Sequence, residues 1–235
     1  MLCQTQVARV IGYYERWIRL FPTVQALADA SNEDILRAWS GLGYNSRALR
    51  LKQAARMIAG GESFPDRYDD LITLPWVGEY TACAVLAFAY NQDVVVLDTN
   101  IRRIMIHEFA VGDDRLMEQL QTSPRYEQQR LRDITQKTLP IWQAKIWYNA
   151  LMDYGAMILT PSHTGITPRS KQSSFDWSTR QVRADIVRRI LLQWVVTLDQ
   201  VALLYPERSD LDRIISKMIQ DNLIVAQGNN LLISA

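Results

Sequence analysis

Leu74-Pro75-Trp76-Val77-Gly78-Glu79-Tyr80-Thr81-Ala82 lies between two helical patterns, and its reading decides how the rest of the chain is understood. A short turn with a glycine before a new helix exposes the unpaired N–H groups of that helix's first turn, and these suit a phosphate oxygen. A hairpin of this kind grips a nucleic-acid strand without reading its sequence. The same nine residues also fit a plain helix-to-helix turn, so the segment alone leaves both readings open.

Working outward, the flanking sequence is helical. Val7, Val10, Ile11, Tyr14, Trp17 and Ile18 recur at helical spacing until Phe21-Pro22 stops the run. Ser31-Asn32-Glu33-Asp34 has the Ser-x-x-Asp shape of a capping box before Ile35, Leu36 and Trp39, and Gly41-Leu42-Gly43 ends that helix. Residues 47–59 read as another helix, closed by Gly60-Gly61. Val94-Val95-Val96 is the only long β-branched run of the first two thirds and is too short to found a sheet. The body is therefore expected to be all-α. Beyond a polar stretch at 161–174 come a helix at about 182–194 and shorter ones near 198–204 and 210–219. Leu223-Ile224-Val225 and Leu231-Leu232-Ile233 then flank Gly228-Asn229-Asn230. Three helices and a hairpin make a winged-helix pattern.

Composition narrows the function classes. The apolar fraction of 48% suits a packed core. No apolar run approaches the roughly 18 to 20 residues of a membrane span, and the N-terminus has no signal-peptide pattern, so the expected location is the cytoplasm. Cys3 and Cys83 stand far apart, as do His107 and His163, which excludes a disulfide framework and a metal site built on either pair. A net charge of +1 is low for a nucleic-acid binder. Residues 1–60, however, carry eight cationic side chains against four acidic ones.

The continuation of the hairpin is more specific. Residues 74–82 followed by Val96-Leu97-Asp98-Thr99-Asn100-Ile101-Arg102-Arg103-Ile104 resemble the helix-hairpin-helix and catalytic-aspartate segment of the base-excision DNA glycosylase superfamily. Met1-Leu2-Cys3-Gln4-Thr5-Gln6-Val7, Gly41-Leu42-Gly43-Tyr44 and Asn149-Ala150-Leu151-Met152-Asp153-Tyr154-Gly155-Ala156-Met157 resemble segments of its adenine glycosylases, in the same order. The resemblance implies an all-α helix-hairpin-helix glycosylase domain at 1–160. A degenerate cluster loop and linker follow at 161–178, and a small winged-helix-like domain at 179–235. It implies a monomer acting on double-stranded DNA that holds a mismatched or damaged pair. The alternatives are a thymine or uracil mismatch glycosylase, or a DNA-binding protein without catalysis.

By the same resemblance Asp98 is the carboxylate that stabilises the positive charge developing on the sugar; it also suits the N-cap of the helix that follows. Tyr80 stands where lyase-type relatives carry a Schiff-base lysine, which implies hydrolysis only. Asn100 is placed to hold the sugar or Asp98. Gln4 and Tyr44 match the wedge that fills the gap left by a flipped base, and Val77 and Gly78, beside Trp76, offer backbone contacts to phosphate.

Four departures from the family pattern stand out. Its four iron–sulfur cysteine positions correspond to Leu159, Ile166, Arg169 and Phe175, so no cofactor is expected, and Phe175 and Trp177 are the candidates to pack the loop instead. Trp76 replaces the first glycine of the usual Leu-Pro-Gly-Val-Gly hairpin. The family's general acid, a glutamate, falls two residues before the position matching Met1. In place of the family's common C-terminal domain stands the winged-helix pattern, led by Asp176-Trp177-Ser178-Thr179-Arg180-Gln181-Val182-Arg183, similar to a tail on some bacterial adenine glycosylases. General acid catalysis is worth about a hundred- to ten-thousand-fold, so the gene is expected to continue upstream in frame and to encode Glu two codons before Met1. Genomic sequencing checks this, and an in-frame stop directly upstream would favour the non-catalytic reading.

Overall fold

The computed structural model describes residues 1–2, 5, 7–61, 63–168 and 177–234. These form two compact units, one of Met1–Phe64 with Ser173–Ala235 and one of Pro65–Gln172. The cuts differ from the boundaries expected at 160 and 178, and the reason lies in the core of the first unit.

That unit begins with α1 (Val7–Leu20), α2 (Val24–Asp29), α3 (Asn32–Trp39) and α4 (Ser46–Ala59). Its C-terminal part holds α12 (Thr179–Gln193), β1 (Val196–Thr197), α13 (Leu198–Leu204), α14 (Leu211–Gln220), β2 (Ile224–Gln227) and β3 (Asn230–Ile233). Ser31 caps α3 by accepting the Asp34 amide at 3.0 Å. Of the periodic apolar residues of α1 only Val10 and Trp17 are buried, while Val7, Ile11, Tyr14 and Ile18 stay exposed. Trp17 meets Phe21 and Trp39 edge-on. The C-terminal strands form an antiparallel sheet in the order β1-β3-β2, with Val196 opposite Leu231 and Ile224 opposite Ile233. Val182, Ile186, Ile214 and Leu231 belong to the same buried cluster as Ile35, Leu36 and Ala48. The winged-helix order of elements is present, but its apolar face is completed by the N-terminal helices. One of the two cuts, between Gln172 and Ser173, falls inside the polar stretch at 161–174, but assigning 1–160 and 179–235 to separate domains would split that core.

The second unit contains α5 (Tyr68–Leu71), α6 (Glu79–Tyr90), α7 (Thr99–Ala110), α8 (Asp114–Thr122), α9 (Pro124–Thr138), α10 (Ala144–Met157) and α11 (Pro161–Thr164). Its core gathers Val96, Ile101, Ile104, Leu131, Tyr148 and Leu151. The valine run at 94–96 joins α6 to α7 in extended form without a sheet partner among the described residues. Among the described residues no helix is long and apolar enough to cross a membrane.

Candidate active site

Asp98 stands where the irregular 91–98 segment enters α7. Asn91, with φ of 54°, turns the chain out of α6 in a left-handed conformation. Tyr148 then fixes the segment from α10: its buried hydroxyl donates to the Val94 carbonyl at 2.9 Å and accepts the Val96 amide at 3.0 Å. Delivered in this way, Asp98 caps α7, its Oδ1 accepting the Ile101 amide at 2.8 Å. Burial raises the Asp98 pKa above the ordinary carboxylate range. The Ile101 and Asn100 amides and the charge of Arg103 oppose that rise.

Two positions on, Asn100 is held by its own helix. Its Oδ1 accepts Nη2 of Arg103 at 2.9 Å. Arg103 is 3% exposed and also donates to the carbonyls of Leu159 at 2.5 Å and Gly155 at 2.8 Å. Any side chain at position 155 would crowd this arrangement, because a Cβ there meets Ile104 Cδ1 at 3.2 Å and Arg103 Nη2 at 3.3 Å. Sequence reasoning did not single out Arg103. The available signal was a cation inside the apolar run Ile101, Ile104, Met105 and Ile106, a place a solvated charge does not occupy.

At the hairpin, Leu74 and Val77 close a tight turn through the Val77 amide and the Leu74 carbonyl at 3.1 Å. Gly78 is the N-cap of α6 and brings no side-chain acceptor to the first turn, and a Cβ added there would meet open space. Glu79 sits in that first turn, where a carboxylate competes with an incoming anion. Arg132 of α9 pairs with it at 2.5 Å. Trp76 and Tyr80 are exposed. Asp98, Asn100, Tyr80, Trp76, Val77 and Gly78 thus share one unit.

Tyr44 belongs to the other unit. Its ring lies 5.3 Å from the Arg47 guanidinium and 5.5 Å from that of Arg180, and its hydroxyl accepts Arg180 Nη1 at 2.9 Å. Gln4 lies outside the described residues.

The sequence model described as "HhH-GPD superfamily base excision DNA repair protein" matches residues 1–125. The chain belongs to the HhH-GPD superfamily. Adenine DNA glycosylase of Mycobacterium tuberculosis is 50% identical over 107 residues, which are 45% of this chain and 35% of that protein. The protein of the same name from Buchnera aphidicola is 34% identical over 165 residues, 69% of this chain and 44% of that one. The one from Rattus norvegicus is 38% identical over 164 residues, 68% and 30% of the two chains. The chain therefore spans less than half the length of these relatives. A thermostable thymine-DNA glycosylase superposes with a TM-score of 0.57 at 23% identity, over 68% of this chain and 71% of that chain. Endonuclease III in a non-covalent DNA complex does so with 0.54 at 20% identity, over 72% and 73%. These two share the all-α helix-hairpin-helix fold.

Two of the four positions that match the iron–sulfur cysteines of this HhH-GPD protein's relatives lie among the described residues. Leu159 is 2% exposed within the second unit's core, and Ile166 packs against it. Hydrocarbon side chains offer no ligand to iron, so this part of the loop does not fit a cluster. Arg169 and Phe175 lie outside the described residues. Trp177 does not pack the loop as expected, since its ring is 67% exposed. The loop is held by arginines, Arg103 at Leu159 and Arg102 at the Thr167 carbonyl, 3.2 Å away. Tyr148→Phe leaves the Val94 carbonyl and Val96 amide without their partner, and is expected to lower stability by about 1 to 3 kcal/mol. Denaturant unfolding measures the loss.

Proposed function

We propose that this protein is a monofunctional DNA glycosylase of base excision repair that hydrolyses the N-glycosidic bond of a mispaired adenine turned out of duplex DNA. The observation that carries this reading is Asp98, a carboxylate fixed at a helix N-terminus and partly withdrawn from water, in the same unit as the exposed hairpin. As the bond between C1′ and the base nitrogen breaks, its electron pair leaves with the base and positive charge grows on the sugar. A fixed carboxylate in a site of reduced polarity stabilises that charge. Water then adds to C1′ and loses a proton. Tyr80 offers no amine, so no Schiff base forms at its position and the strand is left abasic but intact. The leaving base takes its proton from the glutamate that the family pattern places upstream of Met1. The amides of Gly78 and the first turn of α6 hold a phosphate, with Arg132 neutralising Glu79 beside them, while the Val77 amide is already taken by the Leu74 carbonyl. The adenine relatives favour adenine over thymine or uracil as the base removed.

Asp98→Asn separates chemistry from structure, because asparagine caps a helix as well as aspartate does. In a chain that includes the upstream glutamate, the substitution is expected to lower single-turnover adenine release about a hundred- to thousand-fold. Affinity for duplex DNA should be largely kept. Stability should not fall: a carboxyl whose pKa is raised in the folded state binds its proton more tightly there than in the unfolded chain. Its ionisation weakens the fold as pH rises through that pKa. For the same reason the acid limb of the activity profile is expected above the pKa of an ordinary aspartate. Release from duplexes bearing adenine, thymine or uracil opposite guanine identifies the base. Unchanged excision by Asp98→Asn, or a borohydride-trapped adduct, would sink the mechanism.

We also propose that the protein works without an iron–sulfur cluster, on the strength of the packing of Leu159 and Ile166. Elemental analysis of the purified protein is expected to find no stoichiometric iron, and its presence would refute the correspondence drawn for the loop.

A further inference from the structure

Among the described residues, seven other than glycine have positive φ: Tyr44, Trp76, Asn91, Trp142, Trp177, Trp194 and Asn222. The left-handed region tolerates asparagine, whose short polar side chain bonds locally, and it penalises bulky side chains through their Cβ. Two asparagines there are ordinary. Four tryptophans are not, in a chain that has seven.

The seven divide cleanly. Trp17 and Trp39 are 5% and 2% exposed and meet edge to face, Trp39 Nε1 donates to the Gly43 carbonyl at 2.9 Å, and Trp147 packs against the second core. None of these three has positive φ. Trp76, Trp142, Trp177 and Trp194 have φ of 65°, 62°, 59° and 69°, and their exposures are 67%, 78%, 67% and 66%. All four stand at turns or helix ends. Trp76 is in the hairpin, Trp142 in the turn between α9 and α10, Trp177 just before the N-cap Ser178, and Trp194 at the C-cap of α12. The helix-ending place of Trp194 is filled at α6 by Asn91 and at α11 by Gly165, also with positive φ. The backbone at these sites is well used: the Trp142 amide donates to Asp93 at 2.9 Å, its carbonyl accepts Asn91 Nδ2 at 2.7 Å, and the Trp177 carbonyl accepts Arg208. The four side chains bury little area for their size, being left mostly in water, although the Arg37 guanidinium lies over the Trp194 ring at 5.5 Å. A wedge or docking role at the hairpin would account for Trp76 alone and leaves the other three unexplained.

One cause explains all four. Glycine is the residue for which positive φ carries no steric penalty, and the chain holds only 10 glycines in 235 residues, against an average usage of about 7%. UGA, a stop in the standard code, is read as tryptophan in some genetic codes and as glycine in others. An open reading frame translated under the first rule, from a cell that uses the second, acquires tryptophan at a subset of its glycine sites and nowhere else. We infer that in its own cell this protein carries glycine at positions 76, 142, 177 and 194, encoded by UGA. Trp17, Trp39 and Trp147 are tryptophan, encoded by UGG. Glycine at position 76 would give the hairpin a second glycine beside Val77 and remove an indole from the turn that faces solvent.

The inference is tested at three levels. Genomic sequencing is expected to find UGA at the four positions and UGG at the other three; any UGG among the four overturns it. Peptide mass spectrometry of the protein isolated from its own cells is expected to find glycine at all four, and tryptophan at any of them overturns it. For the backbone argument, Trp76→Gly, Trp142→Gly, Trp177→Gly and Trp194→Gly are made singly in the chain as written and unfolded in denaturant. Relief of the left-handed strain outweighs the freedom that glycine adds to the unfolded chain. Each replacement is therefore expected to raise the folded-to-unfolded ratio about two- to tenfold, while Trp39→Gly lowers it. A lowered or unchanged ratio for the four would overturn the reading.

Discussion

The guanidinium of Arg103 is buried with three oxygen acceptors, and each belongs to a different part of the second unit. One is the Asn100 side chain, one the Gly155 carbonyl in α10, and one the Leu159 carbonyl where the chain leaves that helix. A charge taken out of water is tolerated only when such partners are present, and leaving a buried donor without its acceptor costs about 1 to 3 kcal/mol. The rest follows from this requirement. A Cβ at position 155 would press on Ile104 and Arg103, α10 must lie close to α7, and the first turn of α7 acquires a fixed asparagine and a cation that partly offsets the burial of Asp98. The carboxylate is thereby kept in an environment that disfavours its charge without being left alone there.

Much of this was legible in the sequence. Residue types that act through local backbone chemistry read correctly: Ser31 and Asp98 as N-caps, Gly60-Gly61 as a stop, and the valine run as an extended segment too isolated for a sheet. The hairpin of β2 and β3 was visible from the residues around Gly228. β1 was not, because a two-residue strand has no period and forms only when β3 comes to lie beside it.

The misses are all long-range. The polar stretch at 161–174 does hold one of the two cuts, but the cut after Phe64 has no such mark in composition, and nothing local shows that the core joins Val182 and Ile186 to Ile35 and Leu36. Trp177 looked like packing material by residue type alone, and its backbone conformation turns out to matter more than its side chain. Arg103 stands out in sequence only as a cation inside an apolar run, and which carbonyls receive it is seen only in the fold. Local chemistry announces itself in sequence, and the destination of a side chain does not.

The discontinuous core of the first unit also has a meaning in time. Met1–Phe64 leaves the ribosome well before the residues of Ser173–Ala235 that complete the apolar faces of its helices. At a synthesis rate of about 5 to 20 residues per second, those faces wait roughly ten seconds for their partners. The intervening Pro65–Gln172 is contiguous and can close its own core meanwhile. The nascent chain therefore presents a finished middle and an unfinished beginning, and it is the beginning that chaperones would have to shield.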